Sequence, residues 1–102
     1  MTRGRRTVAL CRTDTPCREI QHLQHRYNLD VVYTVFTDTE SSKLAALIAG
    51  QHIADHGAEV LVIPYMTAAR IAQDQHWRTM LASAAIIAFD GPAGYSPARP
   101  GR

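Results

Sequence analysis

At 102 residues the chain is long enough for one domain with a single core and too short for two. Its 46% hydrophobic and 20% charged residues exclude an intrinsically disordered chain, and no apolar run approaches the roughly 20 residues that a membrane-spanning helix needs. A pI of about 8.8 suggests a nucleic-acid partner until the charges are placed: residues 7–98 hold six Lys/Arg against nine Asp/Glu, net −3, so the basicity belongs to Arg3, Arg5 and Arg6 at one end and Arg99 and Arg102 at the other.

RTVALCR (6–12) is β-rich and apolar in its middle, as a strand covered on both faces would be. Thr15 reads as a helix N-cap with Pro16 at the first helical position. The helix continues through REIQHLQHRYN, with Cys17, Ile20, Leu23 and Tyr27 on the face that meets a sheet. LDVVYTVFTD (29–38), dense in β-branched and aromatic residues, reads as a second strand.

ESSKLAALIAGQHIADHG then gives a second helix stopped by Gly57. Its expected core stripe is Ala46, Leu47, Gly50, Ile53 and Ala54, with Leu44 and Ile48 leaning off it towards another contact. AEVLVIPY (58–65) is the clearest buried strand and is placed at the centre of the sheet. MTAARIAQDQHWRTMLASA reads as a short helical turn and a longer helix capped near Asp74, with Trp77, Met80, Leu81 and Ala84 inward. AAIIAFDG gives the fourth strand. GPAGYSPARPGR is expected to be a Pro/Gly-rich tail that continues neither helix nor sheet.

The order β-α-β-α-β-α-β requires right-handed crossovers and predicts a three-layer α/β fold: a mostly parallel four-stranded sheet with helices on both faces. The expected division is a basic arm over 1–5, the α/β domain over 6–91 and the tail over 92–102. MTRGRR carries no apolar stretch long enough for a signal peptide, so the expected compartment is cytoplasmic. There Cys11 and Cys17 are expected to stay reduced, and their spacing matches no common zinc pattern.

Ligands of such sheets bind outside the carboxyl ends of the strands, here Arg12-Thr13-Asp14-Thr15, Thr37-Asp38-Thr39-Glu40, Tyr65-Met66-Thr67 and Asp90-Gly91. Neither GxGxxG nor GxxxxGK[ST] occurs, which removes the glycine loops that cradle nucleotide phosphates. Asp14, Asp38 and Asp90 could together hold Mg²⁺, but aspartate after a strand is also ordinary turn and cap chemistry, the preferred reading. His52 and His56, one helical turn apart, and His22 and His25 bring no characteristic third ligand. They are expected to face solvent, with no metal and no cofactor. Ser41, Ser42, Ser83 and Ser96 lack the strand-turn-helix GxSxG context.

From RRTVALCRTDT to AAIIAFDG the chain resembles the N-terminal catalytic domain of serine recombinases, the resolvase and invertase family. Members open on a strand of the type I-Y-x-R-V-S. They continue through D-V-L-V-V into an L-D-R-L-S-R turn and helix, and reach an I-x-x-I-D strand; VALCRTDT, AEVLVIPYMTAARIA and AAIIAFDG stand in those places in that order. The resemblance implies a sheet order of 2-1-3-4. It aligns Arg12 with a family arginine, Leu10 with the tyrosine and Asp14 with the nucleophilic serine. Thr67 falls on the aspartate and Ala68 on the arginine of L-D-R, Arg70 stands near but out of register, and TDTESSKLAALI lacks the arginine of the family's S-G and R-P segment.

An aspartate in the serine's place would repel a scissile phosphate, and each lost stabilising group typically costs about a hundredfold in rate. The resemblance therefore implies no catalytic residue and a role in interaction: self-association, or docking on a protein partner that processes DNA. The broad apolar surface of the second helix, with Leu44 and Ile48 off its core stripe, is the expected contact, the alternative being that these side chains cover the sheet edge within one monomer. The chain also stops where family members continue into a dimerisation helix and a DNA-reading domain. An alternative is a small-anion binder or enzyme in which Arg12 holds a phosphate or carboxylate, Thr15 or Thr67 donates a hydrogen bond, Asp14 acts as base and Arg70 stands by. A third is weak, non-specific nucleic-acid binding through the arginine tails.

Overall fold

The computed structural model describes residues 4–13 and 18–93. Along the chain lie β1 (Arg5–Arg12), α1 (Arg18–Tyr27), β2 (Leu29–Thr37), α2 (Ser42–His56), β3 (Val60–Ile63), α3 (Ala68–Gln73), α4 (Gln75–Met80), β4 (Ala85–Ala88) and β5 (Gly91–Pro92). The fold is α/β, with one mixed sheet of five strands in the order β2-β1-β3-β4-β5. The first four are parallel, whereas β5 runs antiparallel to β4.

The fifth strand corrects the expectation of a four-stranded parallel sheet. Asp90 and Gly91 turn the chain back, Gly91 at φ +129°, and the Ala93 N–H donates to the Ile86 carbonyl at 2.9 Å. Pro92 is tolerated because an edge strand can leave one ladder position without a donor. The sheet therefore runs one residue into the segment expected to be tail.

Alternating residues of β1 belong to different cores. Val8 and Leu10 join Leu61, Ile63 and Ile86 beneath α2, α3 and α4, while Ala9 and Cys11 pack with Ile20 of α1. On the α1 side Leu23 meets Leu29, Val60, Val62 and Ile87. The expected Ile20, Leu23 and Tyr27 face of α1 is thus the one that packs; Cys17 and the Thr15–Pro16 cap lie outside the described residues.

β2 changes faces part-way. The register with β1 passes from Thr7 opposite Val31 to Val8 opposite Tyr33, so Val32 is an extra, bulged residue. Val31 accordingly packs on the α1 side, whereas Tyr33 stacks on α2 histidines and Val35 joins the α2-side core. Without the bulge a period of two would put all three on one face.

α2 departs from its predicted orientation. Its buried residues are Ala45, Ala46, Ala49 and Ile53, while Ala54 and Leu47 are exposed, Leu47 at 62%. The reason is that apolar residues surround this helix, so periodicity does not select a face; alanines at 45, 46 and 49 let the helix axis sit close to the sheet. Its C-terminal stop is as expected, Gly57 taking the left-handed conformation at φ 60°, and at the other end Ser41 Oγ accepts from the Leu44 N–H. Arg6, in β1, donates from Nε and an Nη to the His56 carbonyl at 3.0 and 2.7 Å, capping that same C-terminus from the β1 side. Arg5 too lies in β1, so the arm is shorter than 1–5.

Burial ranks the core positions. Leu61, fully buried in β3, is expected on truncation to Ala to lose about 2–5 kcal/mol in urea unfolding. Phe36→Thr, at a site 56% exposed on edge strand β2, is expected to shift stability by only about 0.5 kcal/mol.

Candidate functional site

In this order β1 has β2 on one side and β3 on the other, so the chain's direction of winding reverses at β1 and leaves a crevice beyond the carboxyl ends of β1 and β3. A cavity of about 380 Å³ occupies that place. It is lined by Arg12 from β1, Thr39 to Ser42 from the β2–α2 loop, Tyr65 to Thr67 from the β3–α3 turn, and Arg70, Asp74 and Trp77 from α3 and α4.

Local hydrogen bonds hold the loop after β2. Thr37 Oγ1 accepts from the Thr39 N–H at 3.3 Å, Thr39 Oγ1 from the Ser41 N–H at 3.1 Å, and Ser41 Oγ from the Leu44 N–H at 3.2 Å. Each hydroxyl sits two or three residues before the donor it serves, the usual reach of Ser/Thr turns and caps. The loop so fixed presents the Thr39 carbonyl and the Glu40 carboxylate to Arg12, at 3.4 and 3.2 Å. Glu40 is 90% exposed against 21% for Arg12, so the pair contributes at most about 1 kcal/mol, and Glu40 can leave at little cost. The Arg12 guanidinium also lies 5.8 Å from the Tyr65 ring centroid. Burial pushes the Tyr65 phenol pKa up against the opposing pull of Arg12, so it stays protonated at neutral pH.

The turn after β3 is built by capping. Thr67 Oγ1 accepts from the Arg70 N–H at 3.2 Å, and Asp90 Oδ1 accepts from the Ala68 N–H at 2.7 Å. The Phe89 N–H donates to the Met66 carbonyl, tying this turn to the end of β4. Asp74 Oδ1 accepts from the His76 N–H at 2.8 Å and the Trp77 N–H at 3.4 Å, which starts α4. Partial burial raises the Asp74 pKa. Hydrogen bonding from Ser42 and from those two N–H groups, with His76 nearby, outweighs it, and the carboxyl sits below its ordinary range.

Of the residues singled out in sequence, Arg12, Thr67 and Arg70 meet at this cavity; Asp14 and Thr15 lie outside the described residues. Asp90 is engaged as a cap, and among the described residues no three His, Cys, Asp or Glu side chains are grouped to hold a metal ion. Sequence reasoning did not assign Glu40, Ser42, Tyr65 or Asp74 to the site. Glu40 and Tyr65 stood in the strand ends and Asp74 was visible as a cap, but nothing local placed Ser42 against Asp74. Among the histidines, His22 and His25 face solvent as expected, whereas His52 and His56 are half-buried and stack on the Tyr33 ring at 4.8 and 4.6 Å.

A second feature lies on the α2 side. Leu44 is 51% and Leu47 62% exposed, beside an open groove of about 890 Å³ between α2 and α4 lined by Ala46, Gly50, Ala54 and Met80 among others. Ile48, expected to stand off the core with Leu44, is half-buried and packs on the core. Among the described residues no helix is long and apolar enough to cross a membrane.

No protein-family model matches the chain, and no match to it is found among the curated proteins or the solved structures compared.

Because its folded-state pKa lies below the unfolded value, Asp74 contributes stability above the ordinary carboxylate pKa and loses it as pH falls through that value towards the folded-state pKa. Asp74→Ala is expected to cost about 1 kcal/mol at neutral pH. The gap in melting temperature between the variant and the parent chain should close in acid; a gap independent of pH would refute the charged cap.

Proposed function

We propose that the chain is a non-catalytic relative of the serine-recombinase catalytic domain and acts as an interaction module through α2, by self-association or by docking on a DNA-processing protein. The observation that carries the reading is the pair Leu44 and Leu47, both more than half exposed on one helix, with Leu47 lining the wide groove between α2 and α4. Large apolar side chains grouped on a surface mark contact sites more often than isolated ones do. The strand sequence β2-β1-β3-β4, Arg12 at the mouth of β1, and Thr67 and Ala68 in the turn after β3 support the family assignment. The absence of catalysis rests on the motif alignment, in which Asp14 replaces the serine and Ala68 an arginine, and on the engagement of Thr67 and Asp90 in capping α3.

A second reading has its own observation: Arg12 and Arg70 line one cavity at the reversal of strand order. There a phosphate or carboxylate would displace Glu40 from Arg12 and take Arg70 as its second cation. The two readings are compatible, since the cavity and the α2 groove share no lining residue. Basic-tail binding of nucleic acid has less support, because Arg6 is engaged on His56.

Light scattering over a concentration series is expected to show an oligomer that Leu47→Asp or Leu44→Asp converts to a folded monomer; a strict monomer that also binds no partner would sink the α2 reading. For the cavity, inorganic phosphate is expected to raise the melting temperature of the parent chain and leave Arg12→Ala unmoved. No shift in either protein would exclude the anion site.

A further inference from the structure

The exposed stripe of α2 is self-complementary. Lys43, Leu47, Gln51 and Ala54 are all exposed and follow one another at three- and four-residue spacings, with Asp55 in the last turn and Glu59 just past Gly57. A cation thus stands at the start of the stripe, Leu47, Gln51 and Ala54 in its middle, and carboxylates at its end, where Asp55 Oδ1 accepts from Gln51 Nε2 at 3.0 Å. Gly50 leaves the floor of the neighbouring groove low, where a Cβ would come within 3.3 Å of Met80 Cε. Leu47 is the ridge and Gly50 and Ala54 the hollow, all on the same helix.

The placement of Lys43 is unfavourable within a single copy. It lies in the first turn of α2, which contains no acidic residue, at the positive end of the helix dipole. The same charge would be favourable at the carboxyl end of a second helix. That end carries Asp55 and Glu59.

Resting on the α2 reading above, we propose that the partner surface is a second copy of this chain, packed about a two-fold axis that crosses α2 near Gly50 with the two helices antiparallel. Such an interface is isologous: Leu47 of each copy sits over Ala54 of the other, and Lys43 of each faces the other's last turn and its carboxylates. The pairing occurs twice by symmetry. Leu44, at the rim of the stripe, extends the contact towards the N-terminus of each helix.

The test is charge exchange in the full chain, by sedimentation equilibrium, with circular dichroism confirming that every variant folds. Lys43→Glu alone and Asp55→Lys with Glu59→Lys are each expected to weaken self-association by about tenfold, since each places like charges opposite each other twice. Mixing the two variants is expected to restore a heterodimer of near-parental affinity. If Leu47→Asp gives a monomer but the mixture does not recover, α2 is the interaction face and the antiparallel arrangement is wrong. If the parent chain is monomeric at every concentration, self-association fails with it, and a foreign protein becomes the occupant of α2.

Discussion

A strand with neither a free face nor a free edge constrains everything placed around it, and β1, like its neighbour β3, is such a strand. Val8 and Leu10 are sealed under α2, Ala9 and Cys11 under α1, and its two edges are taken by β2 and β3. Each of these apolar side chains is at most 2% exposed, so α1 and α2 must lie on opposite faces to cover them. The same arrangement reverses the winding of the chain at β1 and opens a crevice beyond the carboxyl ends of β1 and β3. Arg12, the first polar residue to leave the strand, therefore emerges where the crevice opens.

The crevice has the position of a working site, but most of its polar groups are engaged in holding the corner together. Thr67 and Asp90 start α3, Asp74 starts α4, and the hydroxyls of Thr37, Thr39 and Ser41 secure the loop before α2. Groups so engaged are preorganised for structure and are costly to redirect towards a reacting atom. Arg70 is an exception, its side chain being exposed, whereas Arg12 holds the Thr39 carbonyl and the exposed Glu40 carboxylate. That contrast sets the cavity apart from the α2 surface, whose exposed residues run from Lys43 through Leu47 and Ala54 to Asp55.

Much of the fold was legible along the chain because it follows from local chemistry. The runs VALC and VLVI could only be strands covered on both faces, Gly57 could take the left-handed stop, and Asp74 could cap a helix. The strand-end rule brought Arg12 and Thr67 to one place without knowledge of any loop, and Arg70 came from the motif resemblance. The face of α2 was not legible, since a helix apolar on every side has no preferred stripe; the choice fell to small alanines that fit against the sheet, leaving Leu47 outside. Ile48, which the same pattern placed outside, went in.

What the sequence by itself determined is the kind and order of elements up to β4, the stop at Gly57, the cap at Asp74 and the corner at which polar residues meet, because those depend on contacts within a few residues. Only the tertiary structure decided the bulge at Val32, the return of Gly91 and Pro92 onto β4, the hold of Arg6 on His56 and the meeting of Arg12 with Glu40. Each of these joins residues on different elements, or depends on how a neighbouring strand runs. Their energies are comparable to those of many alternatives until the two-faced burial of β1 brings them together, and packing rather than local preference then selects among them.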